Sequence, residues 1–371
     1  MTVPHFHWFN PLSHDNRDLA TPPGKERIAT PEYRTEVVRA AERLGFESIL
    51  YMVGQYCNDP WLAAAAQIAA TSKINFIVAA RTGYTHPAVV AHQVASFQEL
   101  SNNRLWLNIV TASHEAELRG YGDFLDKDAR YERTGEYLEI LTRCFKGEKF
   151  DFTGKHYRVE GAGLKKALEV EPVIFSGGSS PAGLGIGAKY ADIHLSYGET
   201  PPQARERVLE IGELADKLGR KVDFGIKINV IARRTHEEAW AEADRLLDGL
   251  DPDVIARQQQ VINARSSVGQ ARVQSLNPGS KADPEALKIY PTMWSGTGLT
   301  GAGGGSTALV GSYEEVAGRI DEYLSIGVSH MLFSAHPLLE GAYEVAEGIM
   351  PYFRDRLTTN AAPLLRASTA I

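Results

Sequence analysis

The run VIFSGGSSPAG, residues 173–183, sets two glycines and two serines between an apolar stretch and a proline. Gly177 and Gly178 carry no Cβ, so a ligand can approach their backbone N–H groups closely, and the hydroxyls of Ser179 and Ser180 add donors. A helix beginning at Pro181 would point its free amino-terminal N–H groups out of the same turn, an arrangement that holds a phosphate. A serine-capped helix after a tight turn needs the same residues, and from this run alone both readings stand. Other polar side chains recur just past apolar runs, Cys57 and Asn58, Thr111 and Ser113, Tyr197 and His336, or within one, Lys227 with Asn229. Together they offer a thiol, an ammonium, hydroxyls and an imidazole, the groups needed to hold an anion and move a proton. His5 and His7 alternate on one strand candidate. No Asp or Glu nearby in sequence completes a ligand set, so a core pair is favoured over a metal site.

The elements that must position these groups follow one rhythm. HFHWF (5–9) reads as a strand, and PEYRTEVVRAAERLGF as a helix with Val37, Val38, Ala41 and Leu44 on one stripe, closed by Gly45. The pairing of strand and helix recurs at FESILY, INFIVAA, RLWLNIV, PVIFSGG, DIHLSYG, FGIKINVIAR and HMLFSA, eight units in all. Apolar, mostly non-alternating strands predict a parallel sheet covered on both faces, and eight of them favour a closed α/β barrel, the (β/α)8 or TIM type. An open doubly wound sheet would use six or seven of the strands. Residues 1–371 are expected to form one barrel domain with two additions: an inserted hairpin at about 148–161 around Thr153-Gly154, and a glycine-rich insertion at about 251–311 acting as a lid. In a barrel the polar residues at strand ends converge on one mouth. The glycines of GLGIGA (183–188) fall inside a helix, where they permit close packing rather than form a dinucleotide fingerprint.

Composition narrows the setting. The 371 residues are 43% hydrophobic, enough for a large core, and the net charge of −7 comes without a Lys/Arg cluster, which argues against a nucleic-acid partner. Two cysteines, Cys57 and Cys144, cannot build a disulfide framework and suit a reducing, cytoplasmic setting. No apolar run approaches the ~20 residues that span a bilayer, and the amino terminus has no signal-peptide pattern. A nucleophile elbow, a lysine-bearing phosphate loop and a Cys-x-x-Cys pair are all missing, so hydrolase, nucleoside triphosphatase and structural-zinc readings lack support.

YCNDPWLAAA, LSNNRLWLNIVTASHEAEL, RYERTGEYLEI, DFTGKHYRVEGAGL, FSGGSSPAG, SYGETP, FGIKINVIARRT, TALVGS and HPLLEGAYEVAE occur in this order along nearly the whole chain. In these stretches the sequence resembles the flavin-dependent luciferase-like monooxygenases, and within them the alkanesulfonate monooxygenase group. The resemblance implies a (β/α)8 barrel with insertions, a homodimer or homotetramer, and reduced FMN (FMNH2) delivered by a separate NAD(P)H:flavin reductase. O2 is the co-substrate it implies, with one oxygen atom transferred to a small organic molecule. Carried over by position, Thr111 and Tyr131 match flavin-contacting residues, while Ser179 and Ser180, beside Gly178, match the phosphate loop, which tips the opening run toward phosphate.

Departures from the group lie in the substrate pocket. Lys227 and Asn229 stand where desulfonating members carry Arg and His, Tyr197 stands for a Trp, and His336 stands for a Tyr. The lid run GLTGAGGGST (298–307) contains no arginine, and Cys57 is retained. Lysine keeps the charge but not the bidentate geometry of arginine. The expectation is therefore a flavin oxygenase for a small anionic substrate, organosulfur or sulfonate-like. Cys57 would help position the reactive flavin, Lys227 would hold an anionic substrate group or the developing negative charge, and His336 would serve as acid or base, with Asn229 and Tyr197 completing the catalytic set. An F420-type deazaflavin oxidoreductase on the same barrel and a non-catalytic flavin-binding relative are the alternatives.

Overall fold

The computed structural model describes residues 2–22, 24–111, 114–263, 267–301, 307–359 and 366–367. Ser113 and residues 302–306 of the glycine run lie outside them.

Eight parallel strands close into a barrel: His5–Phe9, Ser48–Tyr51, Asn75–Arg81, Leu105–Val110, Ile174–Ser176, Ile193–Tyr197, Asp223–Arg233 and Val328–Ser334, called strands one to eight below. Strand one pairs with strand two (His7 opposite Ser48) and with strand eight (His5 opposite His330). Strand seven joins strand six to strand eight and closes the ring. Strand interiors such as Ile49, Phe76, Leu107 and Ile226 are fully buried because helices cover the outside while side chains fill the inside. The helices start where local chemistry tells them to. Asp59 and Asp126 cap through their carboxylates, and Pro31, Pro60, Pro87, Pro181 and Pro201 occupy first helical positions.

The barrel floor is aromatic and imidazole-rich. His7 meets Trp106, Phe175 and His330 ring to ring. Its Nδ1 lies 2.7 Å from Ser48 Oγ, its Nε2 lies 2.9 Å from His330 Nδ1, and both rings are fully buried. His5 pairs instead with Glu47 at 2.7 Å. The two alternating histidines thus hydrogen-bond to different partners, while the half-buried His5 also stacks on the His330 ring at 4.4 Å.

Strand seven is eleven residues long, against five in strand six and seven in strand eight, and forks. Its first half belongs to the barrel; from Asn229 onward it pairs with Ala308–Ser312, to which Met293–Trp294 and Lys288–Tyr290 add antiparallel. The segment expected as a lid therefore has two parts: helices Pro252–Asn263 and Val268–Gln274, followed by short strands that extend the sheet. A helix absent from the sequence reading, Tyr313–Ser325, opens on a capping box between Ser312 and Glu315. The inserted hairpin pairs Phe150–Thr153 with Arg158–Ala162. Among the described residues no helix is long and apolar enough to cross a membrane.

Candidate active site

Residues of strands two to seven, or of the turns just past them, line a cavity of about 240 Å³. The Gly177–Ser180 turn forms part of its wall. Ser180 caps helix Pro181–Tyr190, its Oγ accepting from the Gly183 N–H at 3.2 Å, while Ser179 lines the cavity. The serine-capped helix of the opening run is thus present, and the same turn faces the cavity. Its glycines are fixed by packing: a Cβ on Gly177 would come 2.8 Å from the Leu195 carbonyl oxygen, and one on Gly178 would come 3.0 Å from Tyr131 Oη and 3.1 Å from Gly183 Cα. Lys127 and Tyr131, one turn apart on helix Lys127–Phe145, face the same space. An ammonium, a phenol, a serine hydroxyl and a helix amino terminus around one turn make a site for a phosphate-sized anion. The other walls are apolar, with Leu50, Met52, Val53, Ala79 and Ile109 among them.

Lys227 projects into the same cavity from strand seven. Its Nζ lies 4.5 Å from the centre of the Phe9 ring, and no carboxylate among the described residues forms an ion pair with it. The side chain meets the cavity but little bulk water, and burial pushes its pKa down to about 8. Tyr197 lines the cavity too, against Gly269 of helix Val268–Gln274, where an added Cβ would sit 3.5 Å from the Tyr197 ring. That helix lays Val268 and Gly269 over the cavity and is held by Arg272, whose Nε and Nη2 donate to the buried Glu199 carboxylate at 2.9 and 3.1 Å.

Lys227, Tyr197, Thr111, Tyr131, Gly178, Ser179 and Ser180 are thus gathered at one mouth, while three other sequence candidates stand apart. Cys57 is half-buried in the loop after strand two, its thiol contacting the carbonyl oxygens of Gly54 at 3.3 Å and Met52 at 3.8 Å. Burial pushes the thiol pKa up, which keeps it protonated at neutral pH. Asn229 is fully hydrogen-bonded at the fork, accepting from Ser334 Oγ at 2.7 Å and donating to the Thr307 carbonyl at 3.1 Å. His336 lines a second cavity, of about 340 Å³, with Arg17, Ile231 and Glu340 among its neighbours. Burial pulls its pKa down, against the pull of Asp15.

Sequence reasoning missed Lys127, which a helical wheel would have placed on the face of Tyr131. It also missed the Met52–Val53 wall, for which no local signal exists. Arg81 and Glu117 hold that wall: Glu117 Oε1 accepts from the Gln55 N–H at 2.9 Å and lies 3.2 Å from Arg81 Nη1.

A parallel eight-stranded barrel with an anion-ready cavity at the carboxyl ends of its strands is the arrangement of the (β/α)8 enzymes. Residues 4–330 match the luciferase-like monooxygenase family, and the chain belongs to it. Among solved structures, riboflavin lyase (RcaE), with modified FMN and substrate riboflavin, shares the fold at a TM-score of 0.79 and 21% identity, over 99% of this chain and 94% of that one. EDTA monooxygenase (EmoA) from Chelativorans sp. BNC1 gives 0.73 and 22%, over 96% and 94%. An F420-dependent secondary alcohol dehydrogenase in complex with an F420-acetone adduct gives 0.67 and 16%, over 95% and 100%. At these identities the likeness is one of fold.

Proposed function

We propose that this chain is a monooxygenase that takes reduced FMN from a separate NAD(P)H:flavin reductase and uses O2 to oxygenate a small anionic organic molecule, with organosulfur compounds such as sulfonates the first class to test. The observation that carries the reading is Lys227, an ammonium facing the cavity with no carboxylate partner among the described residues, in the same cavity as the Gly177–Ser180 turn. The residues fit the flavin: the cradle at Gly178 would be filled by any Cβ, and the donors around it suit a phosphate. Gly178, Ser179, Ser180, Lys127 and Tyr131 hold the phosphate, while Thr111 and the apolar wall from Met52 to Ile109 take the ring system. When bound, the flavin supplies the electrons and the site of O2 activation. Lys227 holds the anionic group of the substrate, Tyr197 shapes the space beside it, and helix Val268–Gln274 excludes water. Cys57 and Asn229 enter as supports of the wall and the fork, and His336 faces the neighbouring cavity. The working unit in this reading is a homodimer or homotetramer.

The test is anaerobic titration with reduced FMN, followed by mixing with oxygenated buffer and a panel of sulfonates, sulfones, amines and ketones. Tight binding with substrate-dependent product formation is expected. Preferential binding of a reduced deazaflavin would move the reading to hydride transfer, and binding of FMN without any product would make the chain a flavin-binding relative.

A further inference from the structure

Three threonine hydroxyls meet beside the cavity. Thr82 follows strand three, Thr111 follows strand four and lines the cavity, and Thr134 lies on helix Lys127–Phe145. All three are buried, Thr82 and Thr134 completely. Thr134 Oγ1 lies 2.9 Å from the Arg130 carbonyl oxygen, 2.8 Å from Thr82 Oγ1 and 3.2 Å from Thr111 Oγ1. A hydroxyl has one proton and two lone pairs, and a carbonyl oxygen can only accept. The Thr134 proton therefore goes to Arg130, and Thr82 and Thr111 must both donate to Thr134. Any other assignment forfeits one of the three bonds. With its only proton turned into the wall, Thr111 presents lone pairs alone to the cavity.

We propose that Thr134 is a positioning residue that fixes the Thr111 hydroxyl as an acceptor and thereby selects a ligand edge that donates N–H, favouring reduced over oxidised flavin. The inference rests on the flavin reading. Reduction of an isoalloxazine places hydrogen on a ring nitrogen that is a bare acceptor in the oxidised form, so an acceptor on the wall attracts one state and opposes the other. A reduced deazaflavin has carbon at that position and gains nothing from it.

The experiment compares the affinities of reduced and oxidised FMN, by anaerobic titration, for the unaltered protein, Thr134→Val and Thr134→Ser. The unaltered protein is expected to favour the reduced form. Valine frees the Thr111 hydroxyl to turn and donate, so the preference falls about five- to tenfold, the worth of one neutral hydrogen bond. Serine keeps the bond to Arg130 and keeps the preference. The midpoint potential of bound flavin reads the same ratio, about 30 mV per tenfold change for two electrons. Should the valine variant not fold, Thr111→Val removes the acceptor itself and is expected to lower the preference likewise. Equal binding of both forms by the unaltered protein, or an unchanged preference in the folded Val variant, overturns the inference alone. Failure of reduced FMN to bind overturns the flavin reading and the inference with it.

Discussion

A lysine ammonium on strand seven, given an aromatic face in place of a carboxylate, titrates at about 8 where an ordinary lysine titrates at 10.5. The sign of the consequence is definite. Below pH 8 the group is charged in both folded and unfolded chains, and the folded state bears the whole burden of burying it, about 3 kcal/mol by the size of the shift. The burden lifts as pH rises from 8 to 10.5, where only the unfolded chain remains charged. Lys227→Met is thus expected to raise the stability of the protein at pH 7 by about 1–3 kcal/mol in urea unfolding, while abolishing turnover of an anionic substrate. In the unaltered protein, substrate affinity should fall as pH rises through 8. A destabilised variant that still turns over the anion would remove Lys227 from the site. Asn229, two residues on, has the opposite character: its amide oxygen accepts from Ser334 of strand eight while its amide nitrogen donates to Thr297 and Thr307 of the insertion.

Among the elements, the insertion after strand seven decides who reaches the cavity. Helix Val268–Gln274 is seven residues long, too short to be stable by itself, and its bond to the molecule runs through Arg272 and Glu199. Glu199 is almost completely buried, so removing its partner strands a carboxylate away from water. Arg272→Met should detach the helix locally rather than unfold the barrel. Hydrogen exchange is expected to quicken in residues 252–274 and stay slow in strands one to four, and bound flavin should dissociate several-fold faster. Uniform exchange across the chain, or no change in the insertion, would count against the latch. Most of the barrel helices were legible in sequence because caps and apolar stripes are local signals; Tyr313–Ser325 was passed over although Ser312 and Glu315 supply such a cap. Short strands such as Met293–Trp294 were not, since two residues form a strand only when a partner distant in sequence lends its edge.

Across the whole molecule, buried imidazoles set the acid limit. His7, His194, His330 and His336 are all held below their ordinary 6.5, chiefly by burial, with His194 lowered to about 4. His5 goes the other way, because the Glu47 carboxylate outweighs its burial. A histidine kept neutral by the fold contributes no penalty above pH 6.5. As pH falls from 6.5 toward 4 the unfolded chain takes up protons that the folded chain refuses, and stability is lost. Among the described residues His194 has no hydrogen-bond partner on either nitrogen, and it accounts for about 3 kcal/mol of that loss by pH 4. His194→Gln should flatten the slope of stability against pH between 6.5 and 4 by close to one proton, measured by urea unfolding at each pH. An unchanged slope would mean that the ring is already protonated in the fold.

Eight strand-and-helix units, the glycine turn and the likeness to a barrel family were written in the sequence, because apolar periodicity, caps and turn residues act over a few positions and need no distant partner. Tertiary structure alone decided which polar residues meet. Lys227 sits within the apolar run of strand seven and His336 just past that of strand eight, yet one faces the cavity with the glycine turn and the other lies beside Arg17. His5 and His7 share a strand but divide between Glu47 and His330, the latter 323 residues away. The direction of the Thr111 hydroxyl depends on a threonine one helix later, whose own proton is taken by its own helix. Hydrogen bonds and burial are pairwise facts of space, and closing the barrel is what creates those pairs.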